Sequence, residues 1–282
     1  MTKGEVARRN HLSNEYREFQ QTASPSGTPT LPDKISADTV RAYETLTLDT
    51  APALIEATID GWRLRASGTD TRRSNSATCV EPSSVAPAVT IAAIEQWFDA
   101  HKQERVFRMT DQLSPPGMDA QLESMGYARQ VDCHFMTRAL HELGGVDDAG
   151  IEAVGLDAGT RLLHTLTQMD PVMADVELHR QQLWQGDQRF VILQIDGEPA
   201  AIGLARIEDS HMGIFSMHTP VAHRGRGYAR RIIAALSHWG AVRGAHTAFL
   251  QVEADNATAV SVYQKAGFVP AYSYWHRIRS IR

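Results

Sequence analysis

The chain of 282 residues has two cysteines, Cys79 and Cys133, which stand far apart with no Cys-x-x-Cys partner. That scarcity gives a disulfide framework or a thiolate zinc site nothing to build on. The expectation is two reduced, buried thiols and no metal. No apolar run approaches the roughly 20 residues of a membrane-spanning helix. The polar start MTKGEVARRNHLSNEYREF also lacks the hydrophobic centre of a secretory signal. On these absences the protein is expected in the cytoplasm, with no membrane partner. Basic residues do not predominate either: 28 Lys and Arg face 33 Asp and Glu, a formal net charge of −5. A nucleic-acid partner is therefore not expected, because phosphate-backbone affinity is carried by basic surface.

What is present divides the chain in four. Residues 1–35 pass from a charged segment into QTASPSGTPTLPDK, whose composition favours a loosely ordered lead-in. Residues 36–140 contain a helical stretch ending in IAAIEQWFDAHKQE, with Val89, Ala92, Ala93, Gln96 and Trp97 near one face, then a strand RVFRMT, a helix GMDAQLESMGY and a strand RQVDCHFMTRAL. The Gly-rich, acidic HELGGVDDAG, 141–150, reads as a linker. Residues 151–282 begin with helices and then change period. RFVILQIDGEPAAIGLARIED is two strand-like runs around Asp196-Gly197, a hairpin signal. A strand HMGIFSMHT leads through TPVAHRGRG into a helix with Ala229, Ile232, Ile233, Leu236 and Trp239 at helical spacing, ended by Gly244. A strand AHTAFLQVE and a helix NATAVSVYQKAGF follow, with Asn256 placed to cap the helix and Gly267 to end it.

The turn into the Ala229 helix gathers charge and bare backbone. A strand that stops at a Gly-rich turn and enters a helix leaves several N–H groups unpaired at the positive end of the helix dipole, where phosphate oxygens bind. Gly225 and Gly227 let a ligand approach the main chain, and Arg224 and Arg226 can neutralise a pyrophosphate. The segment is not a Walker A loop, since GxxxxGK[ST] is absent. Nor is it a dinucleotide fingerprint, because Arg230 falls where close helix packing wants Gly or Ala.

RGRGYA, Arg224 to Ala229, matches the R/Q-x-x-G-x-G/A acetyl-CoA signature of the GNAT superfamily of N-acetyltransferases. DNATAVSVYQKAGF resembles that superfamily's Asn…Tyr…Gly-Phe segment, and the elements from Arg189 to Arg282 come in the matching order. The resemblance implies an α/β (α+β) protein of two GNAT-like domains, each a mixed, mostly antiparallel sheet flanked by helices. It further implies acetyl transfer from acetyl-CoA, the co-substrate, to a primary amine of a small molecule or peptide end. Met217, His218 and Thr219 would offer main-chain groups to the pantetheine arm. Arg224, Gly225, Arg226, Gly227, Tyr228 and Ala229 would hold the pyrophosphate, Asn256 would contact the cofactor arm, and Tyr263 would be the general acid. Read alone, Asn256 is equally a helix cap and Tyr263 a core aromatic.

The general base is open between His218, whose intrinsic pKa suits proton transfer, Glu253, and Glu208 or a water chain. Some relatives carry a Glu where Gln251 stands here, and Gln251 cannot accept a proton. LESMGYARQVDCHFMTR overlays YQKAGFVPAYSYWHRIR with Gly126 on Gly267, Tyr127 on Phe268, Leu122 on Tyr263 and Pro115 on Asn256. The first half therefore resembles a degenerate copy that binds no acetyl-CoA and shapes the acceptor pocket. Arg63, Arg65, Arg72 and Arg73 either hold an acidic acceptor group or form a solvated basic face. Two other classes stay open: an acetyl-CoA-binding sensor or scaffold, which Gln251 favours, and an aminoacyl-type transferase, which would need a basic groove. A monomer or homodimer is expected.

Overall fold

The structure, a computed structural model, describes residues 35–69, 71–140 and 146–280. The expected lead-in, apart from Ile35, and the first five residues of the expected linker lie outside the described residues.

Helix α1 (Ala37–Thr50) begins at Ser36, whose hydroxyl accepts the Thr39 N–H at 3.1 Å. The sequence reading assigned no helix to this segment. Its buried positions include Thr39, Glu44, Thr47 and Thr50, so polarity conceals a core-facing stripe. Strands β1 (Ile55–Ile59) and β2 (Trp62–Ala66), a short 3-10 turn (Arg72–Ser74) and strand β3 (Ala77–Cys79) follow. Helix α2 (Pro87–Ala100), strand β4 (Arg105–Thr110), helix α3 (Met118–Ser124) and strand β5 (Ala128–Ala139) complete the first half. The expected inner face of α2 is corrected. Thr90, Ile91, Ile94 and Phe98 are buried, whereas Val89 is 60% exposed. The isoleucines and Phe98 carry more apolar area than the alanines and set the rotation.

The second half runs β6 (Ile151–Val154), α4 (Leu156–Thr167), α5 (Pro171–Gln182), β7 (Gln188–Ile195), β8 (Glu198–Glu208), β9 (His211–His218), α6 (Tyr228–Val242), β10 (Thr247–Glu253), α7 (Ala257–Lys265) and β11 (Val269–Arg279). Asp196 and Gly197 both take positive φ, 51° and 80°, and close the β7–β8 hairpin. On α6 the positions expected inside, Ile232, Ile233, Leu236 and Trp239, are buried.

All eleven strands form one sheet in the order β1-β2-β3-β4-β11-β5-β10-β9-β8-β7-β6, so the two expected sheets are joined edge to edge. The final strands of the halves are exchanged at the junction. β11 lies beside β4 and β5 lies beside β10, with β5 and β11 antiparallel at the centre. Each half also carries one parallel pair around a helix: β3–β4 around α2, and β9–β10 around α6. Gly126 and Gly267 both adopt left-handed φ, 83° and 86°, and the following Tyr127 and Phe268 are both buried. The sequence overlay thus joins positions with equal local geometry.

Apolar side chains fill both faces. One face carries α6 and α7 over Leu193, Ile214, Leu250 and Phe268. The other carries α1 and α4 over Phe135, Phe190, Phe215, Phe249 and Tyr272. A third cluster under α2 and α3 contains Trp62, Ile91, Phe107 and Leu122.

Candidate active site

The site begins where β9 and β10 part. Their parallel pairing covers only Thr247–His211, Ala248–Met212 and Phe249–Gly213. Beyond it the strands diverge. On its other side β9 carries a bulge against β8: Ile202 pairs with His218 but Leu204 with Phe215, so β9 holds one extra residue. Ser216 takes φ 53° within it. A bulge interrupts the ladder and re-aims backbone and side chains. Here it lies immediately before Met217 and His218.

A cavity of about 740 Å³ opens at this end of β9, between the cradle and α7. It is lined by Met217, His218, Thr219, His223, Arg224, Gly225, Gly227, Tyr228, Ala229, Arg230, Asn256, Thr258, Ala259, Val262, Tyr263 and Lys265. The structure thus brings together every residue the sequence reading placed on the cofactor except Arg226, which is exposed between the two glycines and does not line the cavity. Sequence reasoning missed the cavity-lining positions of Arg230, Thr258 and Lys265. Helical spacing from Asn256 and Gly227 was the signal that could have found them.

The glycines of the cradle are required by backbone geometry. Gly225 and Gly227 take φ of 75° and 80°, a region that side chains disfavour. A Cβ built on Gly225 would meet nothing within 4 Å, so the space above it is open to a ligand. Gly227 is the N-cap of α6 and supplies no capping side chain. The first N–H groups of the helix are consequently left facing the cavity. Arg224 donates to the Thr219 carbonyl at 3.1 Å and closes the loop. Among the described residues, Arg224, Arg226, Arg230 and Lys265 have no carboxylate within ion-pair distance. The cavity mouth therefore carries uncompensated positive charge beside a helix N-terminus. Its floor is tight: a Cβ at Gly203 would come within 2.7 Å of Ile232 and 2.6 Å of the Met217 sulfur.

Asn256 caps α7, its Oδ1 accepting the Ala259 N–H at 3.0 Å, and it also lines the cavity. Tyr263 packs on the α6 face and meets Phe268 edge-on, with ring centroids 6.2 Å apart. Burial raises its hydroxyl above the ordinary tyrosine range, and the positive charge of Arg73 opposes that shift. His218 is shifted below the ordinary histidine range, first by burial and then by Arg224. Its imidazole is neutral at neutral pH.

The other base candidates stand elsewhere. Glu253 is the exposed last residue of β10, outside the cavity lining. Glu208 lies opposite His211, at the end of β9 away from His218. Gln251 is committed to a buried network. Its Oε1 accepts from the Tyr274 hydroxyl at 2.9 Å and from Arg108 Nη1 at 3.3 Å, and its Nε2 donates to Thr47 Oγ1 at 2.9 Å. Leu122, the counterpart of Tyr263, is fully buried on α3, in the cluster with Trp62 and Phe107. Cys79 and Cys133 are free and buried, as expected, and burial raises both thiols above their usual range. Among the described residues no group of three or more His, Cys, Asp or Glu is placed to hold a metal. None of their helices is long and apolar enough to cross a membrane.

Comparison with known proteins agrees with this geometry. The profile of the family described as "Probable histone acetyltransferase Rv0428c C-terminal" matches residues 37–281. The "Uncharacterized N-acetyltransferase YobR" of Bacillus subtilis (strain 168) is 24% identical over 263 residues, covering 86% of this chain and 99% of its own. Among solved structures, a GCN5-related N-acetyltransferase from Kribbella flavida superposes with a TM-score of 0.62 at 16% identity, over 88% of this chain and 96% of that one. A tandem GNAT protein from the clavulanic acid biosynthesis pathway gives 0.53 at 14% identity, over 94% and 92%.

Proposed function

Because the chain belongs to the family described as "Probable histone acetyltransferase Rv0428c C-terminal" and is an acyltransferase of the GNAT type, we propose that it moves an acetyl group from acetyl-CoA to a primary amine of a small molecule or peptide end by direct attack. One observation carries this reading: a single cavity joins the left-handed Gly225 and Gly227 cradle, the splay of β9 and β10, and Tyr263.

The residues present fit the cofactor. Arg224, Arg226, Arg230 and Lys265 supply positive charge that no carboxylate among the described residues neutralises, and the α6 N-terminus supplies backbone donors for phosphate oxygens. Asn256 spends its Oδ1 on the cap and keeps its amide N–H groups for the cofactor arm. Acetyl-CoA, when bound, supplies the activated acyl group and a thiolate leaving group. A backbone N–H at the Ser216–Met217 bulge would serve as donor to the carbonyl oxygen, and preorganised donors of this kind contribute several kcal/mol. His218, held neutral by burial and Arg224, takes the proton of the attacking amine. Tyr263, whose raised pKa keeps it protonated, donates to the departing sulfur. The first half acts as a degenerate copy, in which a buried Leu122 replaces the acid, so one acetyl-CoA binds per chain.

Titration with acetyl-CoA, followed by release of free CoA with amino acids, polyamines and peptides as acceptors, tests the reading. Saturation at one equivalent with amine-dependent CoA release supports it. Binding without turnover on any amine favours the sensor reading, and failure to bind acetyl-CoA overturns both.

A further inference from the structure

The arginines of β2 and of the turn that follows it divide into two groups. Arg63 is held by Asp49 at 2.7 Å and by Glu56 at 3.1 Å. Arg65, fully buried, is held by Glu56 at 3.1 Å, by the Arg73 carbonyl at 2.8 Å and by the Ala51 carbonyl. These two are structural. The side chains of Arg72 and Arg73, on the turn that follows, meet no carboxylate and no hydrogen-bond acceptor among the described residues, and Arg72 Nε is buried without a partner. Their backbone is nonetheless fixed. Arg65 grips the Arg73 carbonyl, while Asn75 accepts the Ser67 N–H at 2.7 Å and donates to the Thr71 carbonyl at 2.9 Å.

Arg73 stands beside β9, close to the start of the site. Its guanidinium carbon lies 5.5 Å from the centroid of the Phe215 ring. Phe215 belongs to the α1 face of the sheet, whereas Met217, past the bulge, belongs to the α6 face with Tyr263. Arg73 also bears electrostatically on the Tyr263 hydroxyl, opposing the burial that raises it. The cavity takes Met217 and Tyr263 from the α6 face, whereas Arg73 meets Phe215 of the α1 face, two residues earlier on β9.

We infer that Arg73, with Arg72 beside it, binds a carboxylate of the acceptor, and that the acceptor is an amine that also carries a carboxylate and enters from the α1 face. The inference rests on the acetyl-transfer reading above. A half-buried guanidinium has lost water while gaining, among the described residues, a ring face but no carboxylate or hydrogen-bond acceptor, and Arg108 and Arg180 add positive potential around it. A carboxylate restores both terms, and the planar fork of arginine binds it through two parallel bonds. The amine is thereby held toward the splay of β9 and β10, where the acyl carbon must lie.

Product-like probes test this without the natural acceptor. N-acetylglycine, N-acetyl-β-alanine and N-acetyl-γ-aminobutyrate, each as free acid and as amide, are titrated into the CoA-loaded protein and into Arg73→Gln. At least one acid is expected to bind about tenfold or more tightly than its amide, the gain of a charged hydrogen bond, and Arg73→Gln is expected to abolish that preference while CoA affinity is unchanged. Equal binding of acids and amides overturns the inference, as does a preference that survives in Arg73→Gln. Loss of CoA affinity in the variant overturns it too, by making Arg73 a cofactor ligand. Turnover of a lysine-rich peptide that is equal in wild type and variant has the same consequence. Failure of wild-type protein to bind CoA would instead sink the acetyl-transfer reading itself.

Discussion

Replacing Tyr263 with Phe removes one hydroxyl and little else. No hydrogen-bond partner for that hydroxyl exists among the described residues, and the ring keeps its edge-on contact with Phe268 and its place in the α6-side cluster. Stability should therefore change by no more than about 0.5 kcal/mol, the range of substitutions that break no buried partnership. The effect on turnover is of another size. Burial outweighs the opposing charge of Arg73 and keeps the hydroxyl protonated at neutral pH, so it can give a proton to the sulfur. A positioned acid contributes about 10² to 10⁴-fold, or roughly 2.7–5.4 kcal/mol at 1.36 kcal/mol per decade. Tyr263→Phe should lower kcat by that range at saturating acetyl-CoA, with dissociation constant and melting temperature near wild type. CoA release, calorimetric titration and thermal melting measure the three quantities. A folded variant with wild-type kcat refutes the acid role, and a loss confined to affinity recasts the hydroxyl as a cofactor contact.

Gly225→Ala should weaken acetyl-CoA binding at least about tenfold through contact with the ligand, since its Cβ meets no protein atom, and the φ of 75° should cost only about 1–2 kcal/mol of stability; unchanged affinity would make the loop a connector. If His218 is the base, kcat should be flat through neutrality and fall as pH drops through a value below the ordinary histidine range, and His218→Gln should lower kcat and remove that limb; a limb that persists in the variant belongs to another group. His276 is buried and pushed down to about 3, chiefly by burial and then by Arg108 and Arg72. Its neutral form therefore contributes full stability above pH 6.5, and that contribution is lost as pH falls toward 3. The loss is at most about 1.4 kcal/mol per pH unit, and His276→Phe should flatten the melting curve between pH 6 and 4, where an unchanged slope would exclude it.

How far the sequence was legible depended on where each contact partner sat. The α6 cradle, the α7 cap and the Asp196-Gly197 hairpin are local: glycines at left-handed φ, an Asn cap and apolar spacing within a few residues decide them. They could be read from the chain. Helix α1 could not, because Glu44 and Thr47 read as a solvated segment until β4, β10 and β11 supply their partners across as many as 228 residues. The exchange of β5 and β11 is hidden for the same reason, since either strand pattern suits either neighbour. The bulge at Ser216 leaves no mark in composition, although it sets the aim of Met217 and His218.

Gln251 shows how a missing carboxylate can be misread. From the sequence its amide suggests a protein that binds the cofactor without using it. In the fold its side chain ties α1, β4 and β11 together, through Thr47, Arg108 and Tyr274. Arg108 is also gripped by Glu44 through bonds of 2.6 and 2.7 Å, stacks 3.4 Å over the Tyr274 ring, and shares Glu44 with the Tyr272 hydroxyl. Breaking one partner of such a buried pair typically costs about 3–5 kcal/mol, so the position is constrained by the joint between the halves. A glutamate there would add a second carboxylate to one arginine already paired in both directions, and would meet Arg108 before any substrate. The strand alternates, placing Leu250 and Val252 on the α6 face with the cavity and Gln251 opposite. A base on the cavity side must come from another element, and β9 supplies His218 there, neutral and beside the splay. The amide at 251 is thus compatible with turnover, because in this chain that position holds the two halves together.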